Sequence, residues 1–240
     1  KDIILSSISG GTDIVSCFAL GNPALPVYKG ELQCLGLGMS VKSYDSKGKH
    51  RINCKGELVC DKPFPSMPIY FWNDKSGIKY QEAYFDNYPN IWTHGDYILI
   101  NEHGGVKIFG RSDTTLNPGG VRIGTSEIYQ VVDSIDFIED SLAIGQHWNN
   151  DERIILFVLL KGNKISLTGN NYNYINQKIS NDCSPRHVPS LIIVVKDIPY
   201  TLNGKKVELA VKDVIHGNEP KNISSLANPE SLDQFRNILN

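Results

Sequence analysis

The segment Gly110–Tyr129, GRSDTTLNPGGVRIGTSEIY, constrains this chain more than any other. It is a turn broken by proline and glycine that runs straight into a helix, and the patterns on its two sides differ. Asn117-Pro118-Gly119-Gly120 fixes the turn, because proline presets φ and glycine admits left-handed backbone. Ile128, Val131, Val132 and Ile135 then recur at helical spacing, which predicts a helix with Thr125 or Ser126 as N-cap and Glu127 in its first turn. Arg111 and Arg122 flank the turn. Guanidinium forks beside free backbone N–H groups suit a phosphate, although on the residues alone two solvated surface arginines are the ordinary reading.

Before this segment the pattern is strand-like. From Glu31 to Arg111 apolar residues alternate or cluster between Gly, Asp, Ser and Lys turns, and Asp96–Gly110 reads as a hairpin with its turn at Glu102–Gly105. A small β-barrel or meander is expected there. After it, the seven apolar residues Ile154–Leu160 predict a buried strand, Leu191–Val195 another, and Tyr172–Ser180 and Val207–Val214 short helices. Asn228 as N-cap, Pro229 at the first position, and Leu232, Phe235 and Leu239 on one face predict a last helix. This mixture suggests a small α+β domain, with the domain limit at Ser112–Asp113.

Length and composition set wide bounds. A chain of 240 residues with 40% hydrophobic content forms one large or two modest domains. A formal net charge of −2 argues against a nucleic-acid footprint or a polybasic membrane patch. The six histidines lack metal-ligand spacing, and His94 and His103 read as loop residues. Five cysteines without a C-x-x-C pair read as reduced thiols, several of them buried in strands. No apolar run approaches the roughly 18–20 residues of a membrane span, so a soluble cytoplasmic protein is expected.

Five ordered segments carry a resemblance. Gly110–Tyr129 resembles the G-R-x-D, glycine turn, x-R-I and helical E-I signature of the adenylate-forming enzymes. SGGTD (Ser9–Asp13), KGELVCDKP (Lys55–Pro63), WTHGD (Trp92–Asp96) and NGK (Asn203–Lys205) resemble that superfamily's other signatures in the right order. Within it, PSMPIYFWND (Pro65–Asp74), YFDNYPNIWTHGDYI (Tyr84–Ile98), LNGKKVELAVKD (Leu202–Asp213) and ANPESLDQFRNIL (Ala227–Leu239) resemble the acetoacetyl-CoA synthetase branch.

The resemblance implies a mixed α/β fold in two parts. Residues 1–112 would be a β-rich subdomain, a distorted barrel, ending the large AMP-binding domain. Residues 113–240 would be a small mobile α+β domain. It implies ligation of acetoacetate to coenzyme A through an acyl-adenylate, with ATP, Mg²⁺ and coenzyme A required, small-molecule substrates and no nucleic-acid or membrane partner. No Ser/Thr/Gly-rich phosphate loop precedes SGGTD, so the chain resembles a C-terminal fragment, inactive by itself. A synthetase for another short acid, such as butyrate or a 3-hydroxy acid, and a catalytically silent module of the same fold are the rival readings.

Residue by residue, the resemblance assigns Thr12 to the α-phosphate and Asp13 to Mg²⁺, with a shorter side chain than the Glu usual there. Asp96 would accept from both ribose hydroxyls, though the usual Arg of R-T-G-D is replaced by a Thr-His pair. Arg111 would serve the ribose and Arg122 the phosphates. Asp113 would be the hinge and Gly120 would line the coenzyme A channel, where a Cβ would intrude. Lys205 would bridge the acyl carboxylate and α-phosphate, with Lys206 next door as the competing choice. Gly10 stands where acetyl-specific relatives place Trp and would leave room for a larger acyl group. On residues alone, each of these is an ordinary turn or surface position.

Overall fold

The computed structural model describes residues 3–162, 166–220 and 223–239. The chain divides into two compact units, Lys1–Asp113 and Thr114–Asn240.

In the first unit β1 (Ser9–Gly11), β2 (Ser16–Leu20) and β3 (Cys34–Leu35) make an antiparallel three-stranded sheet. β4 (Val41–Tyr44) and β5 (Gly56–Cys60) lead to helix α1 (Ile78–Tyr84), then to β6 (Trp92–Ile100) and β7 (Val106–Arg111). These four strands form an antiparallel sheet in sequence order, β4-β5-β6-β7. Among the described residues the strands close no barrel, and β4 to β7 run as a meander. The β6–β7 turn is tied by Gly105 N–H donating to Asn101 Oδ1 at 2.7 Å, and Gly104 there takes φ 84°. The core gathers Ile14 from the turn after β1, Phe18 from β2, Leu58 from β5, Trp92 and Ile98 from β6 and Val106 from β7. Burying each contributes about 1.5–3 kcal/mol.

The second unit contains α2 (Thr125–Val132), β8 (Ile138–Trp148), β9 (Asp151–Leu160), α3 (Gly169–Asp182), β10 (Leu191–Val194) and α4 (Glu208–Ile215). Its sheet order is β10-β9-β8, with β8 antiparallel and β10 parallel to the central β9. A central strand covered on both faces explains the continuous apolar run. Ile154, Leu156, Val158 and Leu160 join the cluster beneath α2 and α3, while Ile155 and Phe157 join the one beneath α4 and the C-terminal segment.

Four local expectations change. β8 escapes the sequence pattern, because SLAIGQHW breaks its apolar run with glycine and polar residues. It is paired by a hairpin in which Asn149 and Asn150 both take positive φ, 50° and 62°. The α2 N-cap is Gly124, one residue before the expected choices. Thr125 is already helical, and Glu127 accepts from the Gly124 N–H at 2.9 Å. The last helix, Pro229–Phe235, is 3₁₀, and the Asn228 side chain caps nothing. Instead it accepts from Tyr200 N–H at 2.9 Å and donates to Asp197 at 2.7 Å. His94 lies within β6, not in a loop. Of the five thiols, Cys60 is buried in β5, Cys54 is exposed and the others are half-buried; none forms a disulfide. Among the described residues no helix is long and apolar enough to cross a membrane.

Candidate functional site

The β6–β7 hairpin register sets Asp96 directly across from Arg111. Arg111 Nη1 lies 4.0 Å from Asp96 Oδ1 and donates to the His94 carbonyl at 3.2 Å. Its strongest grip is on Asp113, through Nε–Oδ1 at 3.1 Å and Nη2–Oδ2 at 2.6 Å, a fork-to-carboxylate pair. Three of the expected residues, Asp96, Arg111 and Asp113, are thus brought together on adjacent backbone.

Sequence reasoning missed two neighbours. Glu57 on β5 accepts from the Ser112 hydroxyl at 2.8 Å. Burial pushes its carboxyl up to about 7, and the Asp96 carboxylate adds to this while Ser112 and Arg111 oppose it. His94 Nε2 stands 3.3 Å from the Gly10 carbonyl and 3.6 Å from Asp96 Oδ2, linking the SGGTD and WTHGD segments. Glu57 stood inside a quoted motif, but its strand reads as a plain apolar cluster.

Thr12 and Asp13 are exposed in the turn after β1, closed by Val15 N–H donating to the Thr12 carbonyl at 3.1 Å. Asp13 accepts a hydrogen bond from the Tyr84 hydroxyl. Tyr84 is itself stacked on the buried Trp92, ring centroids 3.6 Å apart and planes 15° apart. A tyrosine at the end of α1 therefore orients the Asp13 carboxylate.

Gly10 corrects an expectation. A Cβ built there would meet the Ser16 carbonyl oxygen at 2.1 Å and Cys17 Cα at 2.7 Å, both on β2. The glycine permits close strand approach and opens no space along its Cβ direction, so Gly10→Trp cannot be a simple pocket filler.

In the second unit the Asn117–Gly120 turn forms as expected, with Gly119 and Gly120 at φ 58° and 79°. Leu116 and Ile123 close it by reciprocal backbone bonds of 2.9 and 2.8 Å. Its amides are not free for an anion. Asn117 N–H donates to Glu152 at 2.6 Å and Gly119 N–H to Asp151 at 3.0 Å. Arg122 remains exposed on the turn. Gly120 has nothing of the protein within 4 Å of a built Cβ, so positive φ rather than crowding by the chain requires glycine there.

Lys205 lies exposed after Gly204, whose φ is 72°. Thr201 N–H donates to the Lys205 carbonyl at 2.8 Å, closing the turn. Lys206 is turned inward, its Nζ 2.7 Å from Asp140 Oδ1. One lysine of the pair is committed to an internal ion pair and the other presents its charge to solvent.

No family model matches the chain. An acetoacetyl-coenzyme A synthetase of Rhizobium meliloti (strain 1021) is 54% identical over 237 residues, 99% of this chain and 36% of the relative. The acetoacetyl-CoA synthetase of Rattus norvegicus is 50% identical over 238 residues, 98% of this chain and 35% of the relative. The solved acetoacetyl-CoA synthetase from Streptomyces lividans matches with a TM-score of 0.92 and 42% identity, covering 99% of this chain and 36% of that one. The chain therefore spans about a third of the length of these relatives. Over that stretch the chain is homologous to the acetoacetyl-CoA synthetases, at 42–54% identity.

Proposed function

We propose that this chain contributes part of the machinery that joins acetoacetate to coenzyme A, with ATP converted to AMP and pyrophosphate. The observation that carries the reading is 54% identity over 99% of the chain to a protein named for that reaction. The Asp96–Arg111–Asp113 grouping supports it, because a carboxylate and a guanidinium on facing strands are suited to a nucleotide's hydroxyls and charge.

In this reading the first unit is the end of the AMP-binding domain, its sheets part of a distorted barrel, and the second is the small mobile domain. Asp96 accepts from the ribose hydroxyls and Arg111 from the same side supplies charge. Thr12 contacts the α-phosphate, and Arg122 stabilises charge on the departing pyrophosphate. Asp113, last residue of the first unit, is the hinge, and Gly120 borders the pantetheine path. Gly10 borders the acyl group through its main chain. Lys205 bridges the acyl carboxylate and α-phosphate as a compact point charge, and Lys206, held by Asp140, is not available for that role.

Magnesium fits this donor set. It binds through one or two carboxylates plus substrate phosphates, and Asp13 provides one carboxylate whose orientation Tyr84 fixes. When bound, the ion would neutralise phosphate charge. Among the described residues no group of three or more His, Cys, Asp or Glu is arranged to hold a metal by itself.

The test is acetoacetate-dependent pyrophosphate release by the full-length gene product, set beside butyrate and 3-hydroxybutyrate. Lys205→Ala should abolish that step and largely spare thioester formation from pre-made acetoacetyl-adenylate. Equal loss of both steps would sink the assignment.

A further inference from the structure

The two adjacent lysines after Gly204 differ in more than exposure. Lys206 Nζ and Asp140 Oδ1 stand 2.7 Å apart with side chains only 18% and 17% exposed. The ammonium also lies 4.2 Å above the Tyr129 ring. The second Asp140 oxygen accepts from the Tyr200 hydroxyl. Tyr200 and Lys206 face each other as an antiparallel bridge at the two ends of the turn. One carboxylate on β8 therefore holds both arms of the loop that presents Lys205. Tyr129, whose ring floors the site, is held in turn by Glu208 at 3.0 Å and by the Ala143 N–H at 3.0 Å.

Between the arms the loop is held mainly by its own backbone. Gly204 N–H donates to the Thr201 carbonyl at 2.8 Å, and Lys205 N–H to Thr201 Oγ1 at 3.1 Å. Outside support comes from Leu202 N–H to the Ser225 carbonyl at 2.9 Å. A lysine side chain carries large rotamer freedom, so whatever order Lys205 brings to a reaction must come from its main chain. Misplacement of a reacting group by about 1 Å costs on the order of 100-fold in rate.

We propose that Asp140, by gripping Tyr200 and Lys206 together, is the positioning residue that sets the Lys205 turn for adenylation. The inference rests on the assignment of Lys205 above. Its removal leaves the Lys205 ammonium chemically intact and alters only where it is held.

The experiment uses the full-length gene product with Asp140→Asn, Lys206→Met, Lys206→Arg and Lys205→Ala. Adenylation is read as pyrophosphate release with acetoacetate and ATP, and the second step as thioester formation from pre-made adenylate. Lys206→Met and Asp140→Asn should lower adenylation roughly 10- to 100-fold and leave the second step within about two-fold. Lys206→Arg should recover most of the loss, and amide exchange at Gly204 and Lys205 should quicken in Lys206→Met. Equal loss in both steps, no loss in either, or unchanged exchange would overturn the positioning role. If Lys206→Met fails to fold, the isosteric Asp140→Asn decides by the same split. Adenylation unchanged in Lys205→Ala would overturn the functional reading itself and this proposal with it. Loss in Lys205→Ala but not in the Asp140 and Lys206 variants would overturn the positioning alone.

Discussion

The Arg111 guanidinium holds the Asp113 carboxylate through two hydrogen bonds, of 3.1 and 2.6 Å, at the last residue of the first unit. The Arg111 and Asp113 side chains are 49% and 39% exposed, so the pair contributes at most about 1 kcal/mol to stability. A functional arginine in this place has a different signature from a structural one. Arg111→Ala in the full-length protein is expected to raise the KM for ATP roughly 10- to 100-fold, the worth of one or two charge-assisted hydrogen bonds. The melting temperature should barely move. Unchanged ATP kinetics with lowered stability would reverse the assignment.

Glu57 predicts a pH dependence with a definite sign. Its folded carboxyl titrates near 7 against an ordinary value of 4.5, so between those pH values the folded chain holds a proton that the unfolded chain has lost. Stability contributed by this site is therefore full below pH 4.5 and falls as pH rises to about 7. Glu57→Gln keeps an acceptor for Ser112 and removes the titration. It should be more stable than the parent at pH 8, by about 1–2 kcal/mol after discounting for partial exposure, and equal to it at pH 4.5. Urea unfolding at the two pH values checks this, and a gap that is constant with pH would refute it.

Gly10→Ala is expected to destabilise the chain by roughly 2–4 kcal/mol, because its Cβ meets β2 backbone, which cannot swing aside as a side chain can. Thermal denaturation of the two forms gives the answer directly. A neutral substitution would mean that β1 shifts freely and that the close approach is incidental.

Phe157 and Phe235 meet edge-to-face, ring centroids 4.9 Å apart and planes at 88°. Both are fully buried, and the 3₁₀ segment carrying Phe235 has weaker internal bonding than an α-helix. Phe235→Ala should therefore cost about 3–5 kcal/mol, and the C-terminal segment should lose its amide protection first. Loss of only a few tenths of a kcal/mol in urea titration would show that the segment is held by something other than this contact.

Much of the architecture was legible because the relevant physics is local. The hairpin turn at Glu102–Gly105, the glycine turn at Asn117–Gly120 and the Gly204 turn follow from residue types that admit positive φ. The Ile154–Leu160 run announces a strand buried on both faces before any partner is known. β8 was not legible, since it pairs with β9 along nearly its whole length through a register no local pattern encodes.

The site divides along the same line. Sequence alone determined the turns and the ordered segments that carry the resemblance, and the resemblance, not the spacing, names Asp96, Arg111 and Lys205 as the residues expected to act. Only the tertiary structure decided which lysine is spent inward on Asp140, that Glu57 shares the Asp96–Arg111 surroundings, and that Gly10 serves strand approach. Those outcomes depend on groups such as Lys206 and Asp140, far apart in the chain. Their proximity, burial and charge exist only after the strands have paired, and no spacing within the sequence carries that information.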